Sequence, residues 1–194
     1  MKLPTIYENS LVSDFKNVLW VRCIKTVNEY RMLSPGDKVC VGISGGIDSA
    51  ALAVCMMRLQ RFGRIPFEAV YTAAVSGMDE AQRELLAVLC KTLDIPVQTQ
   101  DVTPDALPEI AQRCGCNKLA LGLHLDDAAE HILTGLLFEA RMQALLPRVK
   151  ETPALERILP FYRVRREHIR QWQAQNTLEA LPEESSPEQI TVRD

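Results

Sequence analysis

The sequence lacks the features that would carry a chain out of the cytoplasm or into a bilayer. No stretch approaches the ~20 apolar residues a membrane span needs. The N-terminus, Met1-Lys2-Leu3-Pro4-Thr5-Ile6-Tyr7-Glu8, has no apolar core of a secretory signal, so a cytoplasmic location is expected. Nor is there an excess of positive charge: the formal net charge is -3. The chain as a whole therefore does not attract a polyanion, and contact with RNA requires a local basic surface. Internal repeats are absent. The cysteines at 23, 40, 55, 90, 114 and 116 mostly occupy apolar periodic segments, where a thiol acts as a small hydrophobe, so reduced thiols fit better than a disulfide framework. Two nucleotide signatures are missing as well. No Gly-Lys-Ser/Thr ending follows the glycine turn, which excludes the usual P-loop. Gly42-x-x-Gly45-Gly46 also has the wrong spacing for a dinucleotide fingerprint, and no acidic residue lies at the expected distance.

What is present suffices for one main domain. With 194 residues, 47% of them hydrophobic, the chain can bury one substantial core but is short for two. The expected division is an N-terminal helical segment over 1–35, a nucleotide-binding domain over 36–175, and a loosely held acidic tail over 176–194, where the sequence turns polar around Pro182, Glu183, Glu184, Pro187 and Glu188.

Phe15, Val18, Leu19, Cys23, Val27 and Tyr30 recur at three- and four-residue steps, which predicts one helix between Ser13 and Leu33. After turn chemistry at Ser34-Pro35-Gly36-Asp37, Lys38–Ile43 reads as a short buried strand and Ala50–Phe62 as a helix rich in Ala, Leu and Met. Phe67–Val75 reads as a second strand, with Ser76 and Asp79 able to cap a helix running to about Leu93. Ile95–Val102 is a third strand, Pro108–Cys114 a short helix, Leu119–Gly122 a fourth strand and Asp126–Phe138 another helix. Strands alternating with helices require crossovers, so the fold class is α/β with a doubly wound parallel sheet.

The chief chemical signal is Val39-Cys40-Val41-Gly42-Ile43-Ser44-Gly45-Gly46-Ile47-Asp48-Ser49, a strand running through a glycine pair straight into a helix. Glycines let backbone N–H groups converge on an anion, and the helix N-terminus adds its partial positive charge. A mere tight turn is the bland alternative. The second constellation is Gly122-Leu123-His124-Leu125-Asp126-Asp127, leading into Ala128-Ala129-Glu130-His131. In a doubly wound sheet ligands bind beyond the carboxyl ends of the strands, so both loops can face one site. Asp126 and Asp127 either cap the helix or help to bind Mg²⁺.

The first loop resembles the SGGxDS loop of the PP-loop ATP pyrophosphatases, and the second resembles that superfamily's GHHxDD segment. The resemblance implies an adenine nucleotide alpha hydrolase-like fold. It also implies an enzyme that adenylates a carbonyl or carboxylate oxygen with ATP, releases pyrophosphate and lets a nucleophile displace AMP. Carried over by position, Ser44, Gly45, Gly46 and Ser49 hold phosphate oxygens, with Asp48 and Gly122 beside them. Asp48 and Asp126 are the candidate Mg²⁺ ligands, and Asp48, Asp127 and His124 are the candidate catalytic residues.

Glu29–Leu33 with Gly36–Val39, Phe138–Arg148, and Ile158–Phe161 with Arg166–Ile169 are similar to the tRNA 2-thiocytidine synthesis branch, over roughly residues 15 to 172. Members of that branch hold an iron–sulfur cluster on a CxxC pair and a third, later cysteine. Here the corresponding region carries Cys114-Gly115-Cys116, and no cysteine follows Cys116, so a cluster is not expected. Cys114 and Cys116 either handle sulfur or pack a helix end. Leu123 stands where the family's first histidine would be, and Leu159 where an arginine commonly precedes proline. These departures bear on sulfur chemistry more than on ATP binding.

A basic segment spans Arg141–Arg170, with Arg148, Lys150, Arg157, Arg163, Arg165 and Arg166 between, against Glu151, Glu156 and Glu167. It is the candidate surface for tRNA, or else a solvated helix face on which Arg165, Arg166 and Arg170 share one exposed side. Phe161 and Trp172 are candidates for base stacking or for the core. The expected activity is thus ATP-dependent adenylation serving tRNA thiolation. Two alternatives are a lysidine-type or small-molecule amide ligase, which Ala128-Ala129-Glu130 suggests, and a non-catalytic nucleotide-binding subunit.

Overall fold

The structure is a computed structural model that describes residues 5–138 and 144–182. Residues 139–143 of the Phe138–Arg148 stretch, Arg141 among them, and the tail beyond Pro182 lie outside the described residues.

The chain begins with α1 (Ile6–Val12), a π-helical turn (Lys16–Trp20) and α2 (Val21–Glu29). The single helix expected from Ser13 to Leu33 is thus divided. Ser13 and Asp14 interrupt it, and the Ser13 hydroxyl bonds back to the Asn9 carbonyl at 3.0 Å, the competition with backbone pairing that short polar side chains exert. At its far end α2 stops before Arg31, which takes φ +48. The predicted apolar stripe is nevertheless buried at Phe15, Leu19, Cys23 and Val27.

Next come β1 (Lys38–Ile43), α3 (Ile47–Phe62), β2 (Glu68–Ala74), α4 (Glu80–Thr92), β3 (Val97–Gln100), α5 (Leu107–Arg113), β4 (Lys118–Ala120) and α6 (Leu125–Phe138). They occupy the predicted order, with ends trimmed or extended by a few residues. Asp79 caps α4 in a reciprocal pair with Gln82, their bonds measuring 2.8 and 2.9 Å, whereas Ser76 belongs to the preceding turn, which Gly77 closes with φ +87. A hairpin of β5 (Arg148–Thr152) and β6 (Leu155–Ile158) then leads to α7 (Arg166–Gln175). Its polar alternation, Val149-Lys150-Glu151-Thr152, left no strand signal in the sequence. The turn is shaped by the Thr152 hydroxyl, which accepts N–H bonds from Ala154 and Leu155.

The sheet order is β3-β2-β1-β4-β6-β5, parallel except for the antiparallel edge strand β5. Alternation along the strands splits the core. Val39, Val41, Ile43, Tyr71, Ala73, Ala120 and Ile158 face a large cluster with α1, α2, α3, α4 and α7, while Cys40, Leu119 and Leu155 face a smaller one with Ala111 and Cys116 by α5. Phe161 and Trp172 lie in the large core with no exposure, and the Trp172 Nε1–H donates to Ser10 Oγ at 2.8 Å. Neither ring is available for stacking bases. Among the described residues no helix is long and apolar enough to cross a membrane.

The chain runs outward from β1 to β2 and β3, then returns to place β4 on the other side of β1. The loops after β1 and β4 therefore diverge at a topological switch point, where such sheets bind ligands.

Candidate nucleotide site

Ser44, Gly45 and Gly46 leave β1 at this point. Gly45 adopts φ +88, a left-handed conformation open to glycine and costly for other residues. Gly46 caps α3 in extended geometry without any side-chain hydrogen bond, so the first N–H groups of a 16-residue helix point past its end toward an external acceptor. The Ser49 hydroxyl accepts from the Ser44 N–H at 3.1 Å and donates to the Gly46 carbonyl at 2.9 Å. It also lies 3.0 Å from Ser44 Oγ, which accepts from the Gly46 N–H at 3.3 Å. The two serines brace the turn, and Ser49 is buried beneath it.

Gly122 brings the second loop against the first. A Cβ there would stand 2.9 Å from the Ser49 Cα and N and 3.0 Å from the Asp48 carbonyl carbon. Those are backbone atoms that cannot swing aside, so only glycine permits this approach.

His124 precedes α6 and is 1% exposed. Its N–H donates to Asp127 Oδ2 at 2.7 Å, an acid at N3 reaching back over the helix start. The ring Nδ1 lies 3.0 Å from the same Oδ2 and 3.4 Å from the Asp127 N–H. Nδ1 serves only one of them, and the shorter, charge-assisted contact assigns it the proton. Nε2 then accepts from Arg166 Nε at 3.2 Å. Asp48 Oδ2 lies 3.7 Å from Nε2, and Asp126 Oδ2 lies 3.8 Å from Nδ1.

Burial opposes charge on the His124 ring, but the hydrogen bond to Asp127 and the charges of Asp127 and Asp48 outweigh it and raise the pKa, with Arg166 pulling the other way. Burial likewise works against ionised Asp127, yet His124 and Arg166 hold its carboxyl below the ordinary value. Asp48, Asp126, Asp127 and His124 thus come together, as expected of two loops at the carboxyl ends of neighbouring strands, with His124 enclosed behind the carboxylates.

Arg166 is the member that sequence reasoning missed, having set it on an exposed helix side. It reaches inward from the start of α7, giving Nη2 to Asp127 Oδ1 at 3.0 Å and Nη1 to Glu130 Oε1 at 2.8 Å. Its backbone N–H donates to Asp126 Oδ2 at 2.7 Å, so Asp126 caps α7 from a distance. No local pattern signals this pairing, because Arg166 and His124 are 42 residues apart.

A second contact reaches the glycine turn from residues 176–182. Leu178 is buried, the Leu181 N–H donates to the Gly45 carbonyl at 3.0 Å, and Leu181 pairs with Gly46 as a parallel bridge. The Leu181 side chain lies where a Cβ on Gly45 would be, 2.5 Å from that position.

The basic segment is largely compensated inside the fold. Arg148 pairs with Glu156, Arg157 with Glu151, Arg163 with Glu29 through two 2.6 Å bonds, and Arg166 with Asp127 and Glu130. Lys150, Arg165 and Arg170 are exposed. Cys116 is buried with Cys40 in the smaller core, and Cys114 packs against that cluster.

These residues fit Mg-ATP. Mg²⁺ ordinarily keeps several waters and takes one or two carboxylates beside phosphate oxygens, so it needs no closed protein cage. Asp48 in the first turn of α3 and Asp126 in the first turn of α6 would supply that pair beside the uncapped N-terminus of α3.

A family model described as a PP-loop domain matches residues 21–193. The tRNA-cytidine(32) 2-sulfurtransferase of Shewanella sediminis is 28% identical over 148 residues, 64% of this chain and 47% of that protein. The enzyme of the same name from Pelobacter propionicus is 29% identical over 144 residues, 62% of this chain and 54% of that protein. The chain thus spans about half the length of these relatives. Among solved structures, the U34-tRNA thiolase NcsA of Methanococcus maripaludis with its 4Fe-4S cluster superimposes with a TM-score of 0.66 at 17% identity, covering 86% of this chain and 66% of that one. The FMN adenylyltransferase of Candida glabrata in complex with FMN and an ATP analog superimposes with a TM-score of 0.54 at 13% identity, covering 84% and 58%. At these identities the structural matches speak to the fold.

Proposed function

The chain belongs to the PP-loop domain family, and from that premise we propose that it cleaves ATP between the α- and β-phosphates to adenylate a carbonyl oxygen of tRNA ahead of thiolation. The observation that carries the reading is the uncapped N-terminus of α3 behind Gly45 and Gly46, set beside the carboxylates of the β4–α6 loop. The acceptor oxygen forms a bond to the α-phosphorus as the bond from that phosphorus to the bridging oxygen breaks, and pyrophosphate leaves. A nucleophile then displaces AMP.

The first N–H groups of α3 receive the charge that builds on the leaving group, preorganised by the Ser44–Ser49 brace. Mg²⁺, held by Asp48 and Asp126, would offset the phosphate charge. Asp127 faces the site from α6, while His124, enclosed and tied to Arg166, acts as a positioning residue for the carboxylates around it.

The names of the relatives support tRNA as acceptor, and Lys150 and Arg165 are cations exposed on the basic segment, within reach of its phosphates. An amine nucleophile, giving a ligase, is the second reading. It is favoured by Cys114 and Cys116, whose residues belong to the smaller core around Cys40, about 13 Å of strand from the glycine turn.

Pyrophosphate release is measured as orthophosphate with and without added pyrophosphatase, and nucleotide affinity by calorimetry. Asp48→Ala and Ser49→Ala should each weaken ATP binding at least tenfold. The site assignment fails if both bind as the parent does, and orthophosphate appearing without pyrophosphatase would point to β–γ cleavage instead.

A further inference from the structure

Arg166 opens α7, a helix held in place by Ile169 and Trp172, which have no exposure. From that fixed base the guanidinium is pinned by three different side chains. Nε donates to His124 Nε2 at 3.2 Å, Nη2 to Asp127 Oδ1 at 3.0 Å and Nη1 to Glu130 Oε1 at 2.8 Å. A planar fork holds three acceptors at fixed angles, which a single ammonium does not. The backbone N–H of the same residue donates to Asp126 Oδ2 at 2.7 Å.

These bonds fix how the carboxylates are spaced. The buried His124 ring stands between Asp48 and Asp126, with Nε2 3.7 Å from the first and Nδ1 3.8 Å from the second. Asp127 holds the ring on its Nδ1 side and Arg166 on its Nε2 side. Both oxygens of Asp127 are engaged within the fold, Oδ2 by His124 and Oδ1 by Arg166, so Asp127 brackets the ring rather than reaching for a cation. Asp126 keeps 42% of its side chain exposed.

We propose that Arg166 is the positioning residue for Mg²⁺ at this site: through His124 and its own backbone N–H it sets the separation of Asp48 and Asp126, and Glu130 anchors it from the far side. The proposal rests on the Mg-ATP reading above. Charge alone would act in the opposite sense at Glu130. Asp48, Asp126, Asp127 and Glu130 all bring negative charge to the place where a polyphosphate would bind, so removing the Glu130 charge should help an anion, whereas loosening Arg166 should harm the cation.

Calorimetric titration of the full chain with ATP, once in Mg²⁺ and once in EDTA, separates these effects. Arg166→Lys keeps the charge and loses the fork. The affinity that Mg²⁺ adds should fall roughly tenfold in this variant, with a change of less than about twofold in EDTA, because outer groups that orient metal ligands act on the metal. Glu130→Gln should shrink the Mg²⁺ gain about threefold and bind ATP in EDTA no more weakly than the parent does. Glu167→Gln, which removes a carboxylate from the exposed side of α7, should match the parent in both solutions. Thermal melts establish that each variant is folded. The proposal is overturned if Arg166→Lys and Glu130→Gln keep the parent's Mg²⁺ gain, or lose affinity equally with and without the cation. If Asp48→Ala loses Mg-ATP while these two variants bind as the parent does, the nucleotide reading stands and only the role of Arg166 fails. A parent that binds no Mg-ATP sinks both.

Discussion

Glu156 on β6 lies between Lys118 of β4 and Arg148 of β5, and its carboxylate is 12% exposed while Lys118 is 9% exposed. Arg148 Nε approaches Oε1 at 2.6 Å, and the same guanidinium reaches the carbonyls of Tyr30 and Arg31, tying the edge hairpin to the end of α2. Burial pushes the Glu156 pKa up, but the hydrogen bonds and charges of Arg148 and Lys118 bring it below the ordinary value. A carboxyl with a depressed folded-state pKa contributes stability above its unfolded value and loses it as pH falls through the folded one. Glu156→Gln should therefore cost about 1–3 kcal/mol at pH 7, mostly by leaving Lys118 poorly compensated. Its gap from the parent in urea denaturation should close as the solution is acidified below about pH 4. A gap that stays constant with pH would show that the ion triad does not act as described.

The strap from Asn176 to Pro182 works at the scale of elements. It returns from α7 to the loop after β1 and adds a backbone bond to Gly45, on the side where that glycine leaves room for Leu181. A turn held from outside loses less freedom when it closes on a phosphate, so the strap should support binding. Leu181→Gly is expected to lower ATP affinity three- to tenfold in calorimetric titration and to speed hydrogen exchange at the amides of residues 45 and 46. Unaltered affinity together with unaltered exchange would make the strap irrelevant to the site.

Across the whole molecule the cysteines report on packing. Cys23, Cys40, Cys55, Cys90 and Cys116 are buried and Cys114 is partly so, all as free thiols. Burial raises the pKa of Cys90 and Cys116 to about 11, which leaves almost no thiolate at neutral pH. In the folded protein a disulfide reagent should therefore modify about one thiol promptly, at Cys114, and all six only in denaturant. Several fast-reacting thiols in the native chain would contradict the closed core on both sides of the sheet.

The strand, turn and helix of the glycine loop, the α/β order and the grouping of Asp48, His124, Asp126 and Asp127 were legible in the sequence. The first two depend on residues only a few positions apart, through β-branched runs, glycines at a turn and helix periodicity, whereas Asp48 meets the distant His124, Asp126 and Asp127 because both loops lie at the carboxyl ends of strands. The switch point then follows from strands that alternate with helices. The break in the first helix and the β5–β6 hairpin were not legible, because one rests on the local competition of a serine hydroxyl and the other on strands whose residues alternate without an apolar face. Tertiary structure alone turned Arg166 inward, spent the basic segment on ion pairs and laid Leu181 on Gly45. Those contacts join residues far apart along the chain, and their energy appears only once packing has removed water from between them.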